Sequence, residues 1–255
     1  MNIGLKLWSV NTDFYYEEAK RLYQEHWYDY IELCIVPGST ETLKKWKVLK
    51  QEYNIPFALH APHSMLGVNL ADREKEQSNA KAYEDVALFA EGLSAKYTVV
   101  HAGVNGSTEE TIRQLNTIKP VNILLENKPY KTIYGEPICR GAVPDEIIKI
   151  FDGYPCGFCL DVGHAICTAN ALGMEPYGFL QEMQKLTPSA YHLSDNYIDG
   201  DIDRHLHLGE GTYDLKRIME IIDPARDVAI ETVKRSKTDL DDFVYDLKYL
   251  RGDDK

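Results

Sequence analysis

A single-domain α/β fold, a (β/α)8 (TIM) barrel over residues 1–255, is predicted by three observations. Short apolar runs alternate with helical patterns eight times, with no linker or low-complexity break between them. The length of 255 residues matches the roughly 250 that eight strand–helix units need. Residue types that bind metals or move protons stand at the C-terminal ends of the short runs, on the rim where such a barrel builds its site.

The strands read as Ile3–Trp8, Tyr28–Ile35, Phe57–Ala61, Tyr97–Ala102, Asn122–Asn127, Gly157–Val162, Ala190–Ser194 and Val228–Thr232. Each is bounded by turn residues and richer in apolar than polar side chains, as parallel strands covered on both faces are. The clearest amphipathic stretches are Glu41–Glu52, Glu74–Leu93 and Asp239–Leu250. Pro144–Phe151 opens with a proline near its first turn, a common helix start. Eight covered alternations imply eight helices around a parallel sheet that closes on itself. Tyr15, Tyr16 and Tyr23, at helical spacing, read as core rather than as a subunit contact.

Composition bounds the setting. No run approaches the roughly 18 apolar residues of a membrane span, so no membrane partner is expected, and no protein partner is evident. The start, MNIGLKLWSV, lacks the basic stretch and cleavage site of a signal peptide and reads as a first strand. Five cysteines (Cys34, Cys139, Cys156, Cys159 and Cys167) are an odd number in a chain long enough to fold without staples, which favours a reducing, cytoplasmic setting. Cys156 and Cys159 form a C-x-x-C, but no second pair follows and Cys159 lies in the apolar run leading to Asp161. Both read as buried thiols rather than as a metal or redox pair. A net charge of −12 counts against a broad nucleic-acid footprint, which normally shows as a basic patch. Three bound divalent cations would halve that charge, which weakens the objection.

The strand ends read ALHAP, TVVHAG, ILLENK, FCLDVGH, AYHLSDN and VAIET. Every histidine except His26, expected on a helix, falls at such an end or in the loop after it. One such histidine alone is more often a hydrogen-bonded barrel residue than a ligand, and a lone Glu126 could be a buried carboxylate paired with a lysine. The joint pattern changes this. His60, His101, Glu126, Asp161, His192 and Glu231 come from six different strands yet converge on one rim. Carboxylates and imidazoles packed together without cations would form a costly, desolvated cluster, which metal ions neutralise. Imidazole and carboxylate donors without cysteine suit zinc, manganese or iron(II) better than magnesium.

The same residues carry a resemblance. The segments HAPHSMLGVNLA, VVHAG, LLENK, CLDVGHA, YHLSDN, DRHLHLGEG and AIET, spanning residues 60 to 232, resemble in order the xylose-isomerase-like barrel superfamily. Within it they are most similar to the endonuclease IV (apurinic/apyrimidinic endonuclease family 2) branch. The combination of CLDVGHA with D-R-H and G-E-G is the specific part. The resemblance implies up to three zinc ions on nine protein ligands. The first ion would be held by His60, His101 and Glu126. Glu126 would bridge to the second, which also takes Asp161, His192 and Glu231, and the third would be held by His164, Asp203 and His205. It further implies phosphodiester hydrolysis at abasic sites in DNA, with Glu231 beside the second ion to orient the attacking water. The D-x-H spacing puts Asp203 and His205 on one side of an extended segment. His207 is an alternative to His205 that the D-R-H match disfavours.

The departures lie around this constellation. The segment after His60 runs two residues longer before Asn69 than the endonuclease pattern, and His63 stands where that family commonly has a tyrosine that enters DNA. IVPGSTET after the second strand lacks the basic and aromatic residues of a DNA grip, and GVNGSTEETIRQLNTIKP is short. The superfamily's other large branch, the sugar and sugar-phosphate isomerases and epimerases, would use one metal on Glu126, Asp161, His192 and Glu231. There the two glutamates move a proton, and Arg204 binds a sugar oxygen or phosphate. His60, His101, His164, Asp203 and His205 would then have no task. A multinuclear metal hydrolase acting on abasic DNA or a small phosphoester is therefore the first expectation, and the isomerase the alternative.

Overall fold

Residues 1–132, 134 and 138–252 are described by the computed structural model. Eight strands run β1 (Asn2–Trp8), β2 (Tyr30–Cys34), β3 (Phe57–His60), β4 (Thr98–His101), β5 (Ile123–Glu126), β6 (Gly157–Asp161), β7 (Ala190–Leu193) and β8 (Asp227–Ile230). They pair in parallel in chain order, and β8 closes on β1. The α-helices among the described residues are α1 (Phe14–Gln24), α2 (Leu43–Tyr53), α3 (Glu76–Leu93), α4 (Thr108–Ile118), α5 (Pro144–Gly153), α6 (Val162–Ala171), α7 (Pro176–Gln184), α8 (Leu215–Ile221) and α9 (Asp241–Arg251). None is long and apolar enough to cross a membrane.

The predicted barrel is therefore the observed one, with ends moved by a residue or two. Two of its corrections bear on the site. Both α6 and α7 lie between β6 and β7, so the expected eight helices are nine among those described. The extra helix is α6, which starts directly at the end of β6: Asp161 caps it, its Oδ1 accepting the His164 N–H at 2.7 Å. His164 thus rides on a helix, where a loop was expected. His26, expected on a helix, instead has φ +61° just past the end of α1.

Side chains alternate across each strand, so the known inward residues phase the rest. Tyr30, Glu32 and Cys34 share one face of β2, and Gly4 and Lys6 face them in register from β1. Val99, Leu124, Cys159 and Ala190 stand two residues before His101, Glu126, Asp161 and His192, and form a small apolar cluster of their own inside the barrel. The bulk of the core lies between the strands and the helices. Tyr30 explains the glycine beside it: a Cβ on Gly4 would stand 2.4 Å from the Tyr30 ring. Tyr16 is buried, while Tyr15 and Tyr23 pack half-buried against the core. All five cysteines are free, with Cys156 half-buried and the other four buried.

Candidate metal centre

At the C-terminal rim the register sets the donors side by side: His101 is the partner of Glu126, and Asp161 of His192. Asn127 extends the β5–β6 edge by one step. It donates to the Asp161 carbonyl at 2.9 Å and accepts the Asp161 N–H at 2.7 Å, fixing the aspartate where it caps α6. The result is three clusters of ligand atoms that lie within 4.8 Å of one another: His60, His101 and Glu126; Glu126, Asp161 and His192; and His164, Asp203 and His205.

Glu126 is central. Its Oε2 lies 3.0 Å from His60 Nε2 and 2.9 Å from His101 Nε2, and its Oε1 lies 3.0 Å from His164 Nδ1. Asp203 Oδ2 stands 3.2 Å from His164 Nε2 and 2.7 Å from His205 Nε2. Glu231, one residue past β8, brings Oε2 to 2.8 Å from His192 Nδ1. His205 reaches Asp203 differently from the expected extended segment, because its own backbone is left-handed at φ +49°.

The histidines are aimed. Nδ1 of His60 donates to the Ala61 carbonyl at 2.7 Å, Nδ1 of His205 to the Glu231 carbonyl at 2.7 Å, and Nδ1 of His164 to the Asn127 carbonyl at 2.9 Å. His192 turns its Nε2 to Glu32, 2.9 Å away. A carbonyl only accepts, so those nitrogens carry protons, and the other ring nitrogen of each is turned toward the carboxylates. That is how metal-ligating histidines are oriented. His192 Nδ1 and Glu231 Oε2 are buried without a directed hydrogen bond, a cost that a cation between such groups removes. Donor types and orphaned atoms both fit divalent ions such as zinc.

The charges of the cluster set which of its groups hold protons. Burial pushes Glu126 up, but His101, Lys128 and His192 outweigh it and hold the carboxyl well below its ordinary range. Burial pulls His164 and His205 down, yet Asp161 beside the first and Asp203 beside the second raise them to about 10 and about 9. The His164 and His205 imidazoles of the metal-free site therefore hold their protons. Burial dominates for His101, which falls well below its ordinary value, and for His63, which falls to about 3.

Three charged residues of this centre carried no flag in the sequence reading: Lys6, Glu32 and Lys128. Lys6 Nζ lies 2.7 Å from Glu231 and 3.2 Å from Glu32, and Lys128 Nζ lies 3.8 Å from Glu126. A charge inside an apolar strand was the available signal, and counting by twos from Glu231 and His60 would have turned Lys6 and Glu32 inward. Two sequence candidates stand elsewhere. Arg204 is exposed, above Tyr197 and beside a separate hollow of about 240 Å³. His207, the alternative to His205, is held by Asp246 at 3.0 Å and takes no part in the centre. The L-G-E-G segment is structural here: Asp195 accepts the N–H groups of Gly209, Gly211 and Tyr213. Cβ on Gly211 would fall 2.3 Å from the Asn196 carbonyl oxygen.

The centre opens into one cavity of about 910 Å³. Its floor includes His60, Glu126, Asp203 and Glu231, and its mouth carries the exposed apolar side chains Trp8, Val10, Met65 and Val233. His63 stands in its wall, with ring centroids 5.0 Å from His101 and 5.9 Å from His60.

A closed parallel barrel with a histidine–carboxylate rim defines the class of protein. Residues 21–251 match the model of the xylose isomerase-like TIM barrel family, and the chain belongs to that family. A probable endonuclease 4 of Thermoplasma volcanium is 26% identical over 74% of this chain and 71% of its own length. Another relative matched is covered over 65% of its length. Among solved structures, a D-tagatose 3-epimerase-like protein superposes with a TM-score of 0.77 at 21% identity, covering 99% of this chain and 96% of its own. An AP endonuclease of family 2 from Brucella melitensis does so with a TM-score of 0.65 at 14% identity, covering 93% and 95%. Both of the branches expected from the motifs are thus among the neighbours, and the fold is common to them.

Proposed function

We propose that this chain is a multinuclear, metal-dependent phosphoester hydrolase. The observation that carries the reading is the convergence of eight donors into three groups, two of which share Glu126, with four histidines anchored so that one nitrogen faces inward. Divalent ions bound there would supply an acidified water and neutralise the charge of a phosphoryl group. Glu231, at the edge of the second group and half-buried against the cavity, would serve as the general base toward a water activated there. Lys128, on the cavity wall beside Glu126, offers an ammonium to a phosphate oxygen. The apolar mouth and the acidic surface favour a small phosphoester over a duplex, which would need a basic grip.

A second reading, a one-metal sugar isomerase on Glu126, Asp161, His192 and Glu231, is favoured by the contact of Glu231 with His192 at 2.8 Å, which adds a fourth donor to the group of Glu126, Asp161 and His192. One experiment separates them. Protein reconstituted with zinc or manganese is incubated with an abasic duplex, with a panel of small phosphomonoesters and diesters, and with ketoses in heavy water. Phosphate release or strand cleavage is the expected result. Deuterium entering a sugar, with every phosphoester intact, overturns the first reading in favour of the second.

A further inference from the structure

Lys6 is the charged group of the barrel interior for which the three-ion scheme has no task. It projects inward from β1, in register with Glu32 on β2. Its Nζ lies 2.7 Å from Glu231 Oε2 and 3.2 Å from Glu32 Oε1, and its side chain is 10% exposed. Neither Lys6 Nζ nor Glu231 Oε2 makes a directed hydrogen bond, so charge, more than directed bonding, holds the lysine there.

Glu231 Oε2 therefore has two neighbours with opposed claims. On one side is His192 Nδ1 at 2.8 Å, the donor that opens on Glu126 and Asp161. On the other is the Lys6 ammonium. A carboxylate oxygen shared between a buried ammonium and a dication brings the two cations into mutual repulsion, which low-dielectric surroundings screen poorly. Glu32 holds Lys6 from behind at 3.2 Å, and Glu32 is itself fully buried and tied to His192.

Resting on the multinuclear reading, we propose that Lys6 is a resident cation of the second metal position, which competes for Glu231 and makes that ion the most weakly held of the three. The chain then keeps two tight ions, on His60, His101 and Glu126 and on His164, Asp203 and His205. The ion at Glu126, Asp161 and His192 comes and goes as Glu231 changes hands. Lys6 is a positioning residue in this scheme, acting through Glu231.

The test is a stepwise zinc titration of the metal-free full chain against a chromophoric chelator, which reads binding and not turnover. Wild type should bind two ions tightly and a third at least about tenfold more weakly. Asp161→Asn should remove the weak step alone. Lys6→Met should tighten that step at least about tenfold, and adding Glu231→Gln should cancel the gain. Three equal affinities in wild type overturn the inference without any variant and leave the multinuclear reading standing. So does a third ion that is bound no tighter, or is lost, in Lys6→Met, since the lysine then only braces the ligands. A wild type and a Lys6→Met protein that never exceed one ion sink this inference and the multinuclear reading together.

Discussion

Glu126 reaches His60 and His101 with one carboxylate oxygen and His164 with the other, so its charge serves more than one cluster. Glu126→Gln keeps the shape and removes the charge. It should abolish activity and cost the protein the ion at His60 and His101 together with the one at Asp161 and His192, while the circular dichroism of the barrel stays unchanged. Metal content near that of wild type would remove Glu126 from the bridge. Asp203 and His205 test the other end. Asp203→Ala with His205→Ala should remove one ion and lower phosphoester cleavage at least about a thousandfold, since each 1.36 kcal/mol of lost transition-state stabilisation is about a factor of ten. The double variant retaining both its third ion and its rate would empty that cluster of meaning. These donors were legible because they interrupt apolar strands at their ends, where a barrel keeps its site. Lys6 and Glu32 were not, because a mid-strand charge declares its face only after the inward phase of the strand is known. Arg204 stands outside the cavity, beside a smaller hollow lined by Tyr197 and Asp201.

Strands were easy to read and their neighbours less so. Parallel strands buried on both faces are continuous apolar runs, and all eight appear where such runs stand. The helix α6 was missed for the same physical reason. Its residues Val162 to Ala169 are all buried, so VGHAICTA has no polar stripe to show a helical period. Asp161 carries a double duty on this element, as cap and as donor, and the two can be pulled apart. Asp161→Asn keeps an oxygen for the His164 N–H, whereas Asp161→Ala leaves that N–H unpaired. The alanine variant of the metal-free protein should lose about 1 kcal/mol more than the asparagine variant in urea unfolding. Both should lose the ion shared with His192. Equal stability of the two metal-free variants would mean that the 2.7 Å cap contact adds nothing to the fold.

For the molecule as a whole, the (β/α)8 class followed from eight alternations, while the substrate did not, because it is chosen by irregular loops around the cavity that no period describes. What the whole chain does with pH follows from the protons that stand in for metal. His164 and His205 rise from 6.5 to about 10 and about 9 in the folded, metal-free protein, Asp161 and Asp203 outweighing the downward push of burial. A group whose folded pKa is raised adds stability that is complete below its unfolded value and is lost as pH climbs through the folded one. On the acid side, Glu126 and Glu231 are held well below 4.5: burial raises each, but His101 and Lys128 for the first and Lys6 and His192 for the second outweigh it. Their contribution is present above 4.5 and disappears as pH falls through the depressed values. Because His101 and His63 are held below 6.5 by burial and cost stability as pH falls beneath that value, the metal-free protein should be most stable near pH 6.5, and should lose on the order of a few kcal/mol by pH 10. Metal ions bound at these clusters would replace those imidazole protons, so loading should release protons and protect more as pH rises. Calorimetric scans with and without zinc at pH 6, 7.5 and 9 check this. The melting temperature of the metal-free form should fall across the series while the gap to the zinc-loaded form widens. A metal-free melting temperature that holds or rises from pH 6 to pH 9 would mean that His164 and His205 are not the proton-bearing stand-ins for an ion.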